Sequence, residues 1–206
     1  MTRHLKSCSA GHDLLRRRSA RLFHLRVEDA YPPFFWLDLE MKAGATLTDL
    51  DDFLRGIWLE CCGHLSSFDI EGVTSTVAYY GEPLLGCADR SMDPSPQGVL
   101  SPGARFGHTY DFGASTELQL RLVSEREGRI AHAPLRLLSR NEPLEWACMV
   151  CDRAATWICT CCMYEREDPL LGDDDDHAEE HDCEEEALLP VVNSPRMGMC
   201  GYTGPS

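Results

Sequence analysis

The stretch TLTDLDDFLRGIWLECCG, Thr46 to Gly63, reads as a helix set among strands, and that placement decides the fold class. Leu47, Leu50, Phe53 or Leu54, and Ile57 or Trp58 recur every three or four positions and so share one helical face. Thr46 can accept from the first-turn amides, Asp49 complements the positive end of the helix dipole, and Gly63 can end the helix in a left-handed conformation.

Working outward, Leu22 to Val27 alternates apolar and polar residues, and Phe34 to Glu40 resumes the alternation after Tyr31-Pro32-Pro33. These spacings predict two paired strands joined at a Pro-Pro corner. Beyond the helix, Ser67 to Ile70 and Thr74 to Tyr80 are strand-like. Cys87 to Gly103, with Asp93-Pro94-Ser95-Pro96, reads as a long surface loop. Phe106 to Phe112 and Glu117 to Ser124 flank the turn Gly113-Ala114-Ser115 and read as an antiparallel pair. The expectation is an α+β fold, a small mixed helix and antiparallel-sheet domain over residues 21–138. A small zinc-stabilised module over 139–206 follows it, and a basic, flexible arm over 1–20 precedes it.

The segments YPPFFWLDLE, GATLTDLDDFLRGIWLECCGHLSSF and RFGHTYDFGASTELQLRL together resemble the plasmid pRiA4b open-reading-frame-three family across about half the chain. That family shares a Pro-Pro-Ile-Trp-like strand, a Thr-Leu-x-x-Leu helix ending at Trp, a His-Leu-x-x-Phe segment and a Tyr-Asp-Phe-Gly turn. Tyr110-Asp111-Phe112-Gly113 is the most specific part of the match. The resemblance implies an α+β fold and an association with mobile elements, as a passenger or resolvase-like protein, with no settled activity. Many members continue with Asp-x-Trp-x-His, where this chain has Ala114-Ser115-Thr116-Glu117-Leu118, so nothing resting on that Trp and His carries over.

Composition narrows the classes further. With 206 residues and 43% apolar content, the chain can build one full domain and a small one. It contains no run of eighteen apolar residues to span a membrane, and the N-terminus lacks the apolar stretch of a secretory signal. The expected compartment is the cytoplasm, where eleven cysteines are better read as metal ligands than as a disulfide framework. The net charge is −15, and six of the nineteen Lys and Arg residues fall in the first twenty-one positions. An acidic protein of this kind does not coat nucleic acid with its whole surface. Only the N-terminal arm could contact phosphates, and the plain alternative for RRRSAR is a solvated tail.

WACMVCDRAATWICTCCMY, Trp146 to Tyr164, carries the metal signal. Cys148-x2-Cys151 and Cys159-x2-Cys162 are two hooks, each able to turn a pair of thiolates toward one zinc ion. A redox dithiol would sit between a strand and a helix, which neither hook is expected to do. Cys161 breaks the two-residue spacing and reads as a bystander, although a ligand swap stays open. Downstream, Asp174-x2-His177 and His181-x-Cys183 supply two further donor pairs. The order of four pairs resembles a B-box-like or RING-like cross-brace, which implies two zinc ions, pairs one and three sharing one and pairs two and four the other. The alternatives are a single closed four-cysteine site and an acidic solvated loop over Asp173 to Asp176. Cys200 reads either as a further ligand or as a small buried thiol beside a Pro-Gly turn.

Catalysis finds little footing. His64, His108 and Asp111 would need the fold to gather them, and no phosphate loop, nucleophile elbow or His-Glu-x-x-His helix is present in the sequence. The leading expectation is a non-enzymatic zinc protein that binds another protein. The alternatives are a nucleic-acid-associated protein of mobile elements and a zinc-dependent hydrolase.

Overall fold

The computed structural model describes residues 19–31, 33–70, 73–77, 92–93, 95–163, 171–184 and 187–205. Most of the basic arm expected over 1–20 lies outside them. So do Pro32 of the Pro-Pro corner, the last three residues of the strand expected to end at Tyr80, and residues 87–91 and 94 of the loop expected from Cys87 to Gly103. The chain divides into two compact units: residues 1–55 with 63–141, and residues 56–62 with 142–206.

The first unit is a mixed α+β unit built on a seven-stranded antiparallel sheet. Its strands are β1 (Ala20–Asp29), β2 (Trp36–Lys42), β3 (Ser66–Ile70), β4 (Val73–Val77), β5 (Arg105–Tyr110), β6 (Thr116–Gly128) and β7 (Leu135–Arg140), in the order β4-β3-β5-β6-β1-β2-β7. One apolar row crosses four strands, Phe106 opposite Leu120, Leu120 opposite Val27, and Val27 opposite Leu37. All four are buried.

Helix α1 (Leu47–Leu54) begins with a reciprocal capping box. The Asp49 N–H donates to Thr46 Oγ1 at 3.0 Å, and the Thr46 N–H donates to an Asp49 carboxylate oxygen at 2.8 Å. It buries Leu47, Leu50, Asp51 and Leu54. One π-helical turn over Arg55–Leu59 extends it, and Gly63 follows with φ of 80°. The buried acid is held on both sides: Arg55 Nε donates to Asp51 Oδ2 at 2.6 Å, and His108 Nε2 on β5 meets Asp51 Oδ1 at 2.7 Å.

Strand β2 departs from the alternation expected of it, because Leu37 to Met41 are all buried. The polar members of that run have partners. Glu40 accepts from Arg126 at 2.7 and 3.0 Å and from Arg136 at 2.6 and 3.0 Å, while Asp38 pairs with His24 at 2.8 Å and Arg26 at 3.0 Å. The sheet face that should meet water is thus roofed by arginine side chains, whose long stems cover what their charged heads pair with.

The second unit is small and irregular. It contains β8 (Ala147–Cys148) parallel to β10 (Leu171–Gly172), and β9 (Trp157–Cys159) antiparallel to β11 (Leu188–Pro190). Two single-turn helices, α2 (Thr160–Met163) and α3 (Asp175–Ala178), complete it. Its apolar cluster is Trp146, Ala155, Ile158, Leu189 and Met197. Trp58, Leu59 and Tyr202 of this unit are buried as well, and the apolar cluster is small against the conformational entropy of ordering some seventy residues. Among the described residues no helix is long and apolar enough to cross a membrane.

Candidate metal centre

The two hooks are shaped by their own backbones. The Cys148 N–H donates to Arg153 O at 3.0 Å, closing the first turn, and the Val150 N–H points at Cys148 Sγ at 3.5 Å. Against expectation, the second hook lies between a strand and a helical turn, running from the end of β9 into α2, so that Cys159 and Cys162 lie one helical turn apart.

Asp173 brings the downstream donors to them. Its backbone exchanges hydrogen bonds of 2.9 Å with Trp157 in both directions, which fixes the start of the acidic run against β9. Close approach is obligatory here, since a Cβ on Gly172 would stand 2.2 Å from Trp157 O. Asp174 then caps α3, accepting the His177 N–H at 3.0 Å. Asp173 and Asp174 are buried while Asp175 and Asp176 are exposed, so the acidic run is half solvated and half built into the unit.

Two four-residue clusters result. Cys148, Cys151, Asp174 and His177 place their donor atoms within 4.8 Å of one another, and so do Cys159, Cys162, His181 and Cys183. Each cluster takes two thiols from one hook and two donors from the segment after residue 173. Cys161 is exposed and belongs to neither.

The donor chemistry fits zinc. Thiolates and imidazoles at roughly 2.3 and 2.0 Å from one tetrahedral ion stand about 3.8 Å apart sulfur to sulfur and about 3.5 Å sulfur to nitrogen. The separations here are 3.7 Å for Cys162 to Cys183, 3.5 Å for Cys162 Sγ to His181 Nε2 and 3.4 Å for Cys148 Sγ to His177 Nδ1. Asp174 stands closer, 3.0 Å from Cys151 Sγ and 2.9 Å from His177 Nδ1, and it also pairs with Arg153 at 2.7 Å.

Electrostatics favour thiolates at the start of each hook. Burial opposes ionisation of Cys148, but the N–H groups of Val150, Asp174 and Cys151 outweigh it and hold the thiol at about 7. Cys159 is held at about 7 in the same way, by the Cys162 N–H and by Cys183 and His181 against burial. Cys183 is pushed up to about 12, chiefly by the neighbouring thiols of Cys162 and Cys159. Asp174 is held at about 2, chiefly by the Cys151 thiol that donates to it.

Sequence reasoning did not single out two contributors. Asp173 Oδ2 stands 3.0 Å from His181 Nδ1, on the ring edge opposite the nitrogen that faces Cys162. That is an ion-pair distance without hydrogen-bond geometry, so the carboxylate acts on the ring through its charge. Arg153, two residues past the first hook, braces Asp174 and Asp176. The acidic run gave no sign of which of four consecutive aspartates would turn inward.

The fold does not gather His64, His108 and Asp111 into one acid-base set. His108 is sealed against Asp51, and His64 Nε2 stands 3.4 Å from Asp111. Asp111, with φ of 63°, accepts the N–H groups of Gly113 and Ala114 at 2.9 and 3.2 Å, which makes the Tyr-Asp-Phe-Gly segment a turn device. Cys200 is exposed rather than buried, because it sits on a tight turn among glycines.

No protein-family model matches the chain, and neither does any curated protein. A solved structure similar to it is that of a protein of unknown function from Methanosarcina mazei Go1, at 17% identity and a TM-score of 0.48, covering 60% of this chain and 70% of that one.

Proposed function

We propose that residues 142–206 form a zinc-stabilised interaction module that holds two ions in a cross-brace and presents an acidic surface to a protein partner. The observation that carries this reading is the pair of clusters, each joining one Cys-x2-Cys hook to a donor pair some twenty residues downstream. Metal binding supplies the folding free energy that so small an apolar cluster lacks. The first unit is read, from its resemblance to the pRiA4b open-reading-frame-three family, as a carrier domain without a catalytic centre of its own.

A cavity of about 650 Å³ beside the second cluster, lined by Trp157, Asp175, Glu179, His181 and Leu188, supports the choice of partner. One aromatic plane and two carboxylates suit a basic side chain on a short apolar segment. A hydrolase would need an open coordination position for water, and each cluster already offers four protein donors.

Elemental analysis of untagged protein tests the reading. Two zinc ions are expected from these clusters, with one lost in His177→Ala and none in Cys161→Ser. Chelation should open residues beyond about 140 to protease while the sheet of the first unit resists. A single ion, unchanged in His177→Ala, would sink the two-ion model and leave the acidic run as a surface loop.

A further inference from the structure

A third group of thiols lies in the second unit, away from both hooks in sequence. Cys61 Sγ is 3.8 Å from Cys62 Sγ, Cys62 Sγ is 3.6 Å from Cys200 Sγ, and all three sulfurs lie within 4.8 Å of one another. Cys62 and Cys200 are 138 positions apart in the chain. Three mutually close sulfurs are more than a disulfide requires. A disulfide takes two atoms at about 2.05 Å, and adjacent cysteines cannot both bridge to Cys200. The separations instead approach the sulfur–sulfur edge of about 3.8 Å expected around a tetrahedral thiolate-bound zinc.

The surroundings are built for such a cluster. Cys200 holds φ of 50°, and Gly198 and Gly201 beside it hold 78° and 66°. Glycine adopts that region at no cost, whereas a residue with a Cβ does so only where the surrounding fold holds it there. The turn therefore aims one sulfur at the other two. Arg196 is completely buried, and its Nη2 lies 3.7 Å from Cys61 Sγ. Three thiolates around a divalent zinc carry one net negative charge, and the guanidinium beside Cys61 balances it. The segment bearing Cys61 is also held directly, since Ser194 Oγ donates to Trp58 O at 2.7 Å.

We infer that Cys61, Cys62 and Cys200 hold a further thiolate-bound zinc ion, which staples residues 56–62 to the C-terminal turn of the second unit. Three thiolates supply three of the four donors. Soft sulfur ligands select zinc over magnesium or calcium. The site stands independently of the two-ion cross-brace, because it shares no ligand with it.

The test uses the full chain, prepared under reducing and anaerobic conditions, with zinc per chain measured in wild type, Cys62→Ser, Cys200→Ser and the control Cys161→Ser. Each of the first two variants is expected to lose one ion and the control none. A fall from three to two supports this site and the cross-brace together. A fall from one to none supports this site and removes the cross-brace. An unchanged content in both variants overturns this site and leaves the cross-brace standing. Should a variant misfold, alkylation of the wild-type protein decides instead. Cys62 and Cys200 should resist iodoacetamide until a chelator is added, and their immediate labelling, or a recovered peptide with Cys62 bonded to Cys200, overturns the proposal.

Discussion

Replacing Asp51 by Ala should destabilise the first unit more than any exposed substitution. The carboxylate is completely buried, with Arg55 at 2.6 Å on one oxygen and His108 at 2.7 Å on the other. Arg55 also meets His64 O at 2.7 Å, Ser66 Oγ at 2.8 Å and the Tyr110 ring at 4.7 Å. Breaking a buried ion pair by removing one partner costs about 3–5 kcal/mol, because the surviving charge stays desolvated. Asp51→Asn keeps an acceptor for Arg55 but turns the oxygen that meets His108 into an amide donor, so its cost should be smaller than that of Ala. Acid dependence supplies the second readout. Burial alone would raise the Asp51 pKa, yet His108 and Arg55 outweigh it and hold the group below its ordinary value of 3.8. A depressed folded-state pKa contributes stability that is present above the unfolded value and lost as pH falls through the folded one. Wild type should therefore lose stability below roughly pH 4 from this group, and Asp51→Asn should lose less over that window. Urea unfolding followed by hydrogen exchange of the β5 and β6 amides isolates the sheet from the metal module. An Asp51→Ala protein within about 1 kcal/mol of wild type would refute the account.

Three further outcomes are expected. Asp173→Asn should weaken zinc at the second cluster by about 10- to 100-fold through loss of the carboxylate behind His181, measured by competition with a chromogenic chelator, while the first cluster is unchanged. Gly172→Ala should cost at least about 1–3 kcal/mol in the second unit, because its Cβ would meet Trp157 O at 2.2 Å, and thermal unfolding of the zinc-loaded protein reads that loss. Thr46→Ala should cost about 1 kcal/mol by removing one half of the capping box, with Thr46→Ser restoring most of it in the same assay.

The features legible in the sequence are those whose causes are local. The start of α1 could be read because Thr46 and Asp49 satisfy each other within one turn. The β5–β6 hairpin could be read because Leu118, Leu120 and Leu122 alternate on one strand and a short turn fixes their partners. Strand β7 gave no such signal. Its LRLLSR sequence lacks alternation, and its partner β2 lies some ninety-five residues earlier, with Glu40 opposite Arg136. In the metal centre the Cys-x2-Cys spacing was visible because each hook is four residues long. The inward turn of Asp173 depends on a backbone pairing with Trp157, and the meeting of Cys61, Cys62 and Cys200 depends on chain closure over 138 positions. No residue-by-residue pattern encodes either.

The interleaving of the ligand pairs bears on how the module is made. During synthesis Cys148, Cys151, Cys159 and Cys162 emerge before Asp174, His177, His181 and Cys183. For that interval the four thiols are each other's nearest partners, and a zinc ion caught then would be held by both hooks at once. Reaching the proposed cross-brace from that state requires one hook to surrender its ion after the acidic run has emerged. Zinc offered before the acidic run emerges would thus favour the two-hook arrangement over the proposed cross-brace.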